Sequence, residues 1–218
     1  MDGILLIDKP KGLTSHTIVS VIRKRFKVKK VGHAGTLDPM ATGVLVLLIG
    51  KATKLCSSLI QDDKEYIATL SLGKSTDTQD STGKIVEEKP VDNIDKDIIE
   101  ETFNSFLGEY LQIPPMTSAK KHKGIKLYKL ARRGKVVARC PSKIVIHDIE
   151  ILEHRLPDIS FRVVCSKGTY IRTLCEDIGK RLGYPAHMSS LRRTRSGRFN
   201  LKDAFILDNV NKEDIRHI

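Results

Sequence analysis

Val44 to Ile49 is an unbroken run of six apolar residues, VLVLLI. A run of this length with branched side chains and no polar alternation predicts a strand covered on both faces, so the fold must supply layers above and below it. It is far short of the roughly 20 residues that a membrane-crossing helix needs. The twelve residues before it, GHAGTLDPMATG, gather Gly32, Gly35, Gly43, His33 and an Asp38–Pro39 pair. A lone carboxylate in such a setting asks for an explanation.

Around that strand the pattern is mixed, with strands and helices alternating irregularly and no internal repeat. GILLID reads as a first strand, and Thr14 or Ser15 can cap a helix whose apolar stripe is Ile18, Val19, Ile22 and Phe26, ending in RKRFKVKK. KEYIATLSLG alternates with period two, placing Tyr66, Ala68, Leu70 and Leu72 on one side. IDKDIIEETFNSFLG predicts a capped amphipathic helix stopped by Gly108. Between about 113 and 141 the order weakens, with at most a short helix over 127–132, which suggests an insertion or flap over a ligand. Strands follow at SKIVIHDIEILE and ISFRVVCS, then a helix from Thr169 with its stripe at Ile171, Leu174, Cys175, Ile178 and Leu182. A chain of 218 residues, 40% apolar, suffices for one ordinary core. Its four cysteines have no CxxC spacing and its seven histidines complete no ligand pattern, so reduced thiols and no metal site are expected. The N-terminus carries an acid where a secretory signal is basic, which points to the cytoplasm and away from membranes.

The net charge of +12 is unevenly placed. Residues 1–110 hold 15 Lys+Arg against 16 Asp+Glu, whereas residues 111–200 hold 20 against 6. A cationic surface binds phosphates by releasing condensed counterions, so the second half reads as polyanion-binding. With five Tyr, six Phe and no Trp, stacking platforms for an extended single strand are few, and a folded RNA gripped by its backbone fits better.

Familiar sites are excluded. Gly43 and Gly50 are separated by six residues where a phosphate-cradling loop has four, and Ala52 stands where the Mg²⁺-binding hydroxyl belongs. In TDTQD, Asp77 and Asp80 lack a third acid for a divalent-ion site, which leaves a turn or a polar loop touching RNA. Asp38 precedes a proline, which keeps it out of helical geometry, and Gly32 and Gly35 allow close approach of a ligand. If Thr169 caps the last long helix, Arg172 lies in its first turn, where the macrodipole disfavours a cation, and it should face an anion. Asp38 or an RNA phosphate would serve.

At these residues the chain resembles the TruB family, the bacterial tRNA pseudouridine-55 synthases. VGHAGTLDPMATGVLVLLIGKATK resembles the family's signature segment, and the likeness continues through GILLIDKPKGLTSH, KEYIATLSLGKSTDTQDSTG, IPPMTSAKKHKGIKLYKLARRG, CSKGTYIRTLCEDIGKRLGYPAH and LRRTRSGRF. Thr117 departs from the pattern, since relatives usually carry an aromatic there. The resemblance implies an α+β pseudouridine synthase fold: one catalytic domain over 1–218, a long, mostly antiparallel mixed sheet with flanking helices, and the basic insertion as a thumb. Many relatives continue into a small RNA-binding PUA domain; the chain ends at Ile218 without room for one, and a weaker grip on the outer tRNA is expected.

The implied reaction isomerises uridine to pseudouridine in the T arm of tRNA by base flipping, with no cofactor and no metal. Asp38 matches the catalytic aspartate, Arg172 the arginine that pairs with it, and Tyr66 the tyrosine that stacks on the target base. His33 matches the histidine that fills the gap left by the extruded uridine, and Tyr170 and Leu191 match residues lining the base pocket. Lys120, Lys123, Arg132, Arg133, Arg192, Arg193 and Arg195 are candidates for the RNA backbone. No protein partner is required, and a monomer is expected. The alternative from another class is a tRNA-binding or folding chaperone that uses the same surface without turnover.

Overall fold

The computed structural model describes residues 1–217, which divide into two compact units, Met1–Ile67 with the segment from Leu191 onward, and Ala68–Ser190. The chain enters the first unit through β1 (Gly3–Lys9), α1 (Ser15–Phe26), β2 (Val31–Ala34), β3 (Thr42–Ile49), a 3-10 turn (Gly50–Leu55) and α2 (Cys56–Leu59). Strand β4 (Lys64–Leu72) contributes to both units. The second unit adds β5 (Lys74–Thr76), β6 (Ile85–Glu88), α3 (Lys96–Asn104), β7 (Gly108–Gln112), β8 (Lys121–His122), β9 (Ile125–Lys126) and α4 (Leu127–Ala131). It continues with β10 (Ser142–Arg155), β11 (Asp158–Cys165) and α5 (Ile171–Leu182). Strand β12 (Ala186–Ser196) is again shared, and β13 (Phe199–Asn200), β14 (Phe205–Ile206) and β15 (Arg216–His217) close the first unit.

In the first unit the order is β14-β1-β3-β12, with β2 pairing β3 and β15 pairing β1. Strand β3 is the centre the apolar run demands. Every residue from Val44 to Ile49 is at most 1% exposed. One of its faces, Val44, Val46 and Leu48, packs with Ile4, Leu6, Ala34, Ala52 and Phe199. Its ladders run antiparallel to β1 and β2 and parallel to β12 through Thr42 and Gly43. Gly43 sits at φ +106°, and a Cβ there would lie 2.2 Å from the Arg193 carbonyl, so only glycine lets the two strands meet. Helix α1 forms as expected: the Thr14 hydroxyl accepts from the Thr17 amide at 2.9 Å, a cap contributing about 1 kcal/mol, and Ile18, Val19, Ile22 and Phe26 are buried.

In the second unit the path runs β4-β11-β10-β7, with β10 antiparallel to both β11 and β7. Strand β11 alternates as the sequence predicts, with Ile159, Phe161, Val163 and Cys165 buried. Helix α3 is capped by Asp95 and ends at Asn104, ahead of Gly108; its Phe103 meets Phe161 edge-on at 5.2 Å. The fold is therefore α+β with a mixed, mostly antiparallel sheet, as expected. The insertion over 113–141 is more ordered than its composition suggests. It holds the β8–β9 hairpin and α4, which buries Leu127 and Leu130, and Arg139 donates to the Pro114 carbonyl at 3.1 Å, tying its two ends together. No helix among the described residues is long and apolar enough to cross a membrane.

Candidate active site

Asp38 lies half-buried in the loop between β2 and β3, and that loop is pinned from several directions. The Ala41 amide donates to the Asp38 carbonyl at 3.1 Å, and the Gly12 amide donates to the Pro39 carbonyl at 2.8 Å. Ser15 both accepts from the Leu37 amide, at 2.9 Å, and donates to the Leu37 carbonyl, at 3.1 Å. Lys9, fully buried at the end of β1, donates from Nζ to the carbonyls of Pro10, Leu13 and Pro39. Burial pushes the Lys9 ammonium down to about 8, against the opposing pull of Asp38, which favours its charge. Three carbonyls and one nearby carboxylate are what makes a buried lysine tolerable here. A cation in period-two phase with the buried Leu5 and Ile7 is the signal that could have found Lys9.

His33 sits in β2 with its carbonyl accepting from Cys56 Sγ at 3.4 Å. Its Nδ1 is buried without a hydrogen-bond partner, and burial, followed by Arg193 and His16, lowers its pKa, so the ring is neutral at physiological pH. Tyr66 on β4 is 8% exposed and Leu191 on β12 is 9% exposed, both on buried faces of their strands.

In the second unit Arg172 lies in the first turn of α5, 5% exposed. Thr169 does not cap that helix. Tyr170 occupies the cap position, and its amide and carbonyl are both taken by the buried Gln112 side chain, at 2.8 and 3.0 Å, because Thr169 spends its hydroxyl on the Ser166 carbonyl. The anion that a first-turn cation requires is supplied by Asp80, 3.6 Å from Arg172 Nη1. The same nitrogen donates to the Thr117 hydroxyl at 2.6 Å and to the Thr78 carbonyl at 3.1 Å. Thr117 is the position at which the chain departs from the family pattern, so the departure lies against the guanidinium.

Asp80 is itself held in place. Its Oδ1 accepts from the Thr78 hydroxyl, the Thr82 amide and the Thr82 hydroxyl, and its backbone bridges to Met188 of β12. The TDTQD segment is therefore a turn that presents a carboxylate to Arg172, and Asp77 accepts from the Lys84 amide. Sequence reasoning missed Asp80 and Gln112 as partners because each lies far along the chain from the residue it serves.

Among the candidate backbone-binding cations, Lys120, Lys123, Arg132 and Arg133 are exposed on the insertion. Arg192 pairs with Asp8 at 2.7 Å, and Arg195 is half-buried with a bond to the Gly197 carbonyl. Arg193 requires correction: it is 1% exposed, and its guanidinium donates to the carbonyls of Val44 and Gly35, so it braces the first unit and does not face a phosphate. No group of three metal-ligating side chains occurs among the described residues.

Comparison with known proteins places the fold and the family. Solved structures of a Cbf5-Nop10-Gar1 complex and of an H/ACA RNP bound to a substrate RNA containing 2'-deoxyuridine superpose with TM-scores of 0.76 and 0.71 at 35% and 33% identity. Each match covers 95% of this chain and about half of the solved one, 53% and 51%. The tRNA pseudouridine synthase B of Syntrophotalea carbinolica is 51% identical over 96% of this chain and 69% of its own length. That of Bacillus subtilis is 50% identical over 98% and 71%. Fold and sequence thus define a pseudouridylate synthase, an isomerase. Residues 23–171 match the TruB family pseudouridylate synthase N-terminal domain and residues 172–216 the tRNA pseudouridylate synthase B C-terminal domain. The chain belongs to the TruB family.

Proposed function

We propose that this chain isomerises a uridine of tRNA to pseudouridine, at position 55 in the T arm, acting as a cytoplasmic monomer without cofactor or metal. The reaction breaks the bond from C1′ to N1 and forms one from C1′ to C5; the proton leaves C5 and N1 regains one, so nothing else is consumed. The base must leave the stack to be turned, at a cost of a few kcal/mol. Asp38 is the essential carboxylate and Arg172 a further residue of the chemistry; Tyr66 lies against the base and assists removal of the C5 proton. Tyr170 and Leu191 line the pocket for the base, and neutral His33 fills the gap left in the RNA. Lys120, Lys123, Arg132 and Arg133 hold the backbone, with Arg192 and Arg195 as further contacts.

The observation that carries this reading is the Asp38 loop itself: a carboxylate placed by Lys9, Gly12 and Ser15 so that its backbone cannot drift. Such preorganisation is what a single reacting acid needs. The test is incubation of a T-arm stem-loop with the protein, no metal or nucleotide added, followed by nucleoside analysis. Wild type is expected to form pseudouridine, and Asp38→Asn to form none while binding the RNA within a few fold of wild type. Turnover by Asp38→Asn would sink the assignment; tRNA folding assistance without any turnover by wild type would favour the chaperone.

A further inference from the structure

The basic run at the end of α1 has no part in the site described. Residues 1–60 hold 10 Lys+Arg against 3 Asp+Glu, and residues 61–110 hold 5 against 13. The near-neutral balance of the first half therefore conceals a strongly cationic stretch followed by an acidic one. The fold concentrates the first of these. The Gly50 amide donates to the Lys30 carbonyl at 2.9 Å, and Val31 pairs with Ile49, so the segment carrying Lys27, Lys29 and Lys30 lies beside the 3-10 turn that carries Lys51 and Lys54. All five are exposed.

Two ordinary explanations account for only part of this cluster. Arg23, Lys24 and Arg25 occupy the last turn of α1, where cations complement the helix dipole, and Arg25 is committed to the Leu207 carbonyl and to Asp208. Lys27 is the C-cap residue of α1 and shares in that dipole, whereas Lys29, Lys30, Lys51 and Lys54 lie beyond the helix. Among the described residues Lys51 reaches Asp2 only at 4.0 Å with its own side chain 83% exposed, and Lys27, Lys29, Lys30 and Lys54 have no acidic partner. Five like charges held on adjacent backbone segments repel one another unless an anion neutralises them.

We infer that this cluster is a second RNA-backbone surface, on the first unit, which binds phosphates of the same RNA whose uridine is presented to Asp38. The inference rests on the proposed function for its ligand. Lys30 immediately precedes β2, a four-residue strand roughly 13 Å long whose far end opens into the loop that carries Asp38. Lysine suits this role, because compact, strongly hydrated point charges on flexible stems grip a backbone without reading sequence.

The experiment compares wild type with Lys27→Gln/Lys29→Gln/Lys30→Gln and, independently, with Lys51→Gln/Lys54→Gln, using intact tRNA and a potassium chloride series. Circular dichroism melts check that both variants fold. Each variant is expected to bind several-fold more weakly, with a log–log salt slope flatter by about 0.7 to 0.9 per phosphate contact removed. An unchanged slope in both folded variants overturns the inference. Loss of binding to phosphatidylserine vesicles with the tRNA slope intact overturns it too, by assigning the cluster to a membrane surface. Failure of the proposed function shows itself separately, as absence of pseudouridine with wild type, whatever the slopes.

Discussion

Arg172 and Asp80 stand 3.6 Å apart with their side chains each 6% exposed, an ion pair drawn from two distant stretches of the chain. A buried pair of this kind is costly to half-remove, because the survivor keeps its charge and loses its compensation. Asp80→Ala is expected to destabilise the protein by about 3–5 kcal/mol in urea unfolding. Asp80→Asn, which retains an oxygen for Thr82, should cost less while still lowering pseudouridine formation. Full activity in Asp80→Asn would show that Arg172 needs no carboxylate here.

Thr117 offers a gentler probe of the same guanidinium. Thr117→Val keeps the shape and removes the hydroxyl that accepts from Arg172 at 2.6 Å. A hydrogen bond to a charged group contributes about 1.5–3 kcal/mol, so a melt lowered by several degrees is expected, together with a reduced turnover rate. Thr117→Ser, which keeps the hydroxyl, should restore both; failure of that rescue would mean the methyl group matters and the bond does not.

Lys9 makes stability depend on alkaline pH. Its folded-state value of about 8 lies below the ordinary 10.5, so the unfolded chain binds its proton more tightly. Stability is therefore expected to rise with pH between about 8 and 10.5 by this group's contribution. Lys9→Met should remove that component and also lower stability at neutral pH, since the carbonyls of Pro10 and Leu13 lose the Lys9 ammonium and that of Pro39 keeps only the Gly12 amide. Chemical denaturation of both proteins across that window checks the sign.

Gln112 replaces a missing helix cap. With both polar atoms committed to the backbone of Tyr170, whose carbonyl also accepts from the Leu174 amide, Gln112→Ala should cost about 1–3 kcal/mol, chiefly by leaving the part-buried Tyr170 amide unsatisfied. Gln112→Glu keeps an acceptor for the amide and loses the donor to the carbonyl, and thermal melts should place it between wild type and Gln112→Ala.

The insertion supplies the last test. Lys120, Lys123, Arg132 and Arg133 are exposed. Replacing Lys123, Arg132 and Arg133 by Gln is expected to weaken tRNA binding and flatten its salt slope by up to about 0.9 for each phosphate contact. A slope equal to that of wild type would remove the insertion from the RNA-binding surface.

Whatever depends on neighbours a few residues apart was written in the chain. The buried strand Val44–Ile49, the Thr14 cap with its stripe, the alternation of β11 and the short helix within the insertion all follow from local periodicity and capping, and the motif around Asp38 carried the family. Charge averaged over long windows was a poorer guide, since it merged the cationic stretch before residue 60 with the acidic one after it. Tertiary structure alone settled which polar groups meet. Arg193 and Arg195 are near-identical in sequence context, yet one is enclosed beneath Val44 and Gly35 while the other stays half-buried. Asp80 rather than Asp77 reaches Arg172, and Gln112 rather than Thr169 completes the start of α5. The reason is geometric: a side chain's desolvation and its partners are set by whichever distant segments the sheet brings alongside it, and no periodicity within the chain encodes that distance.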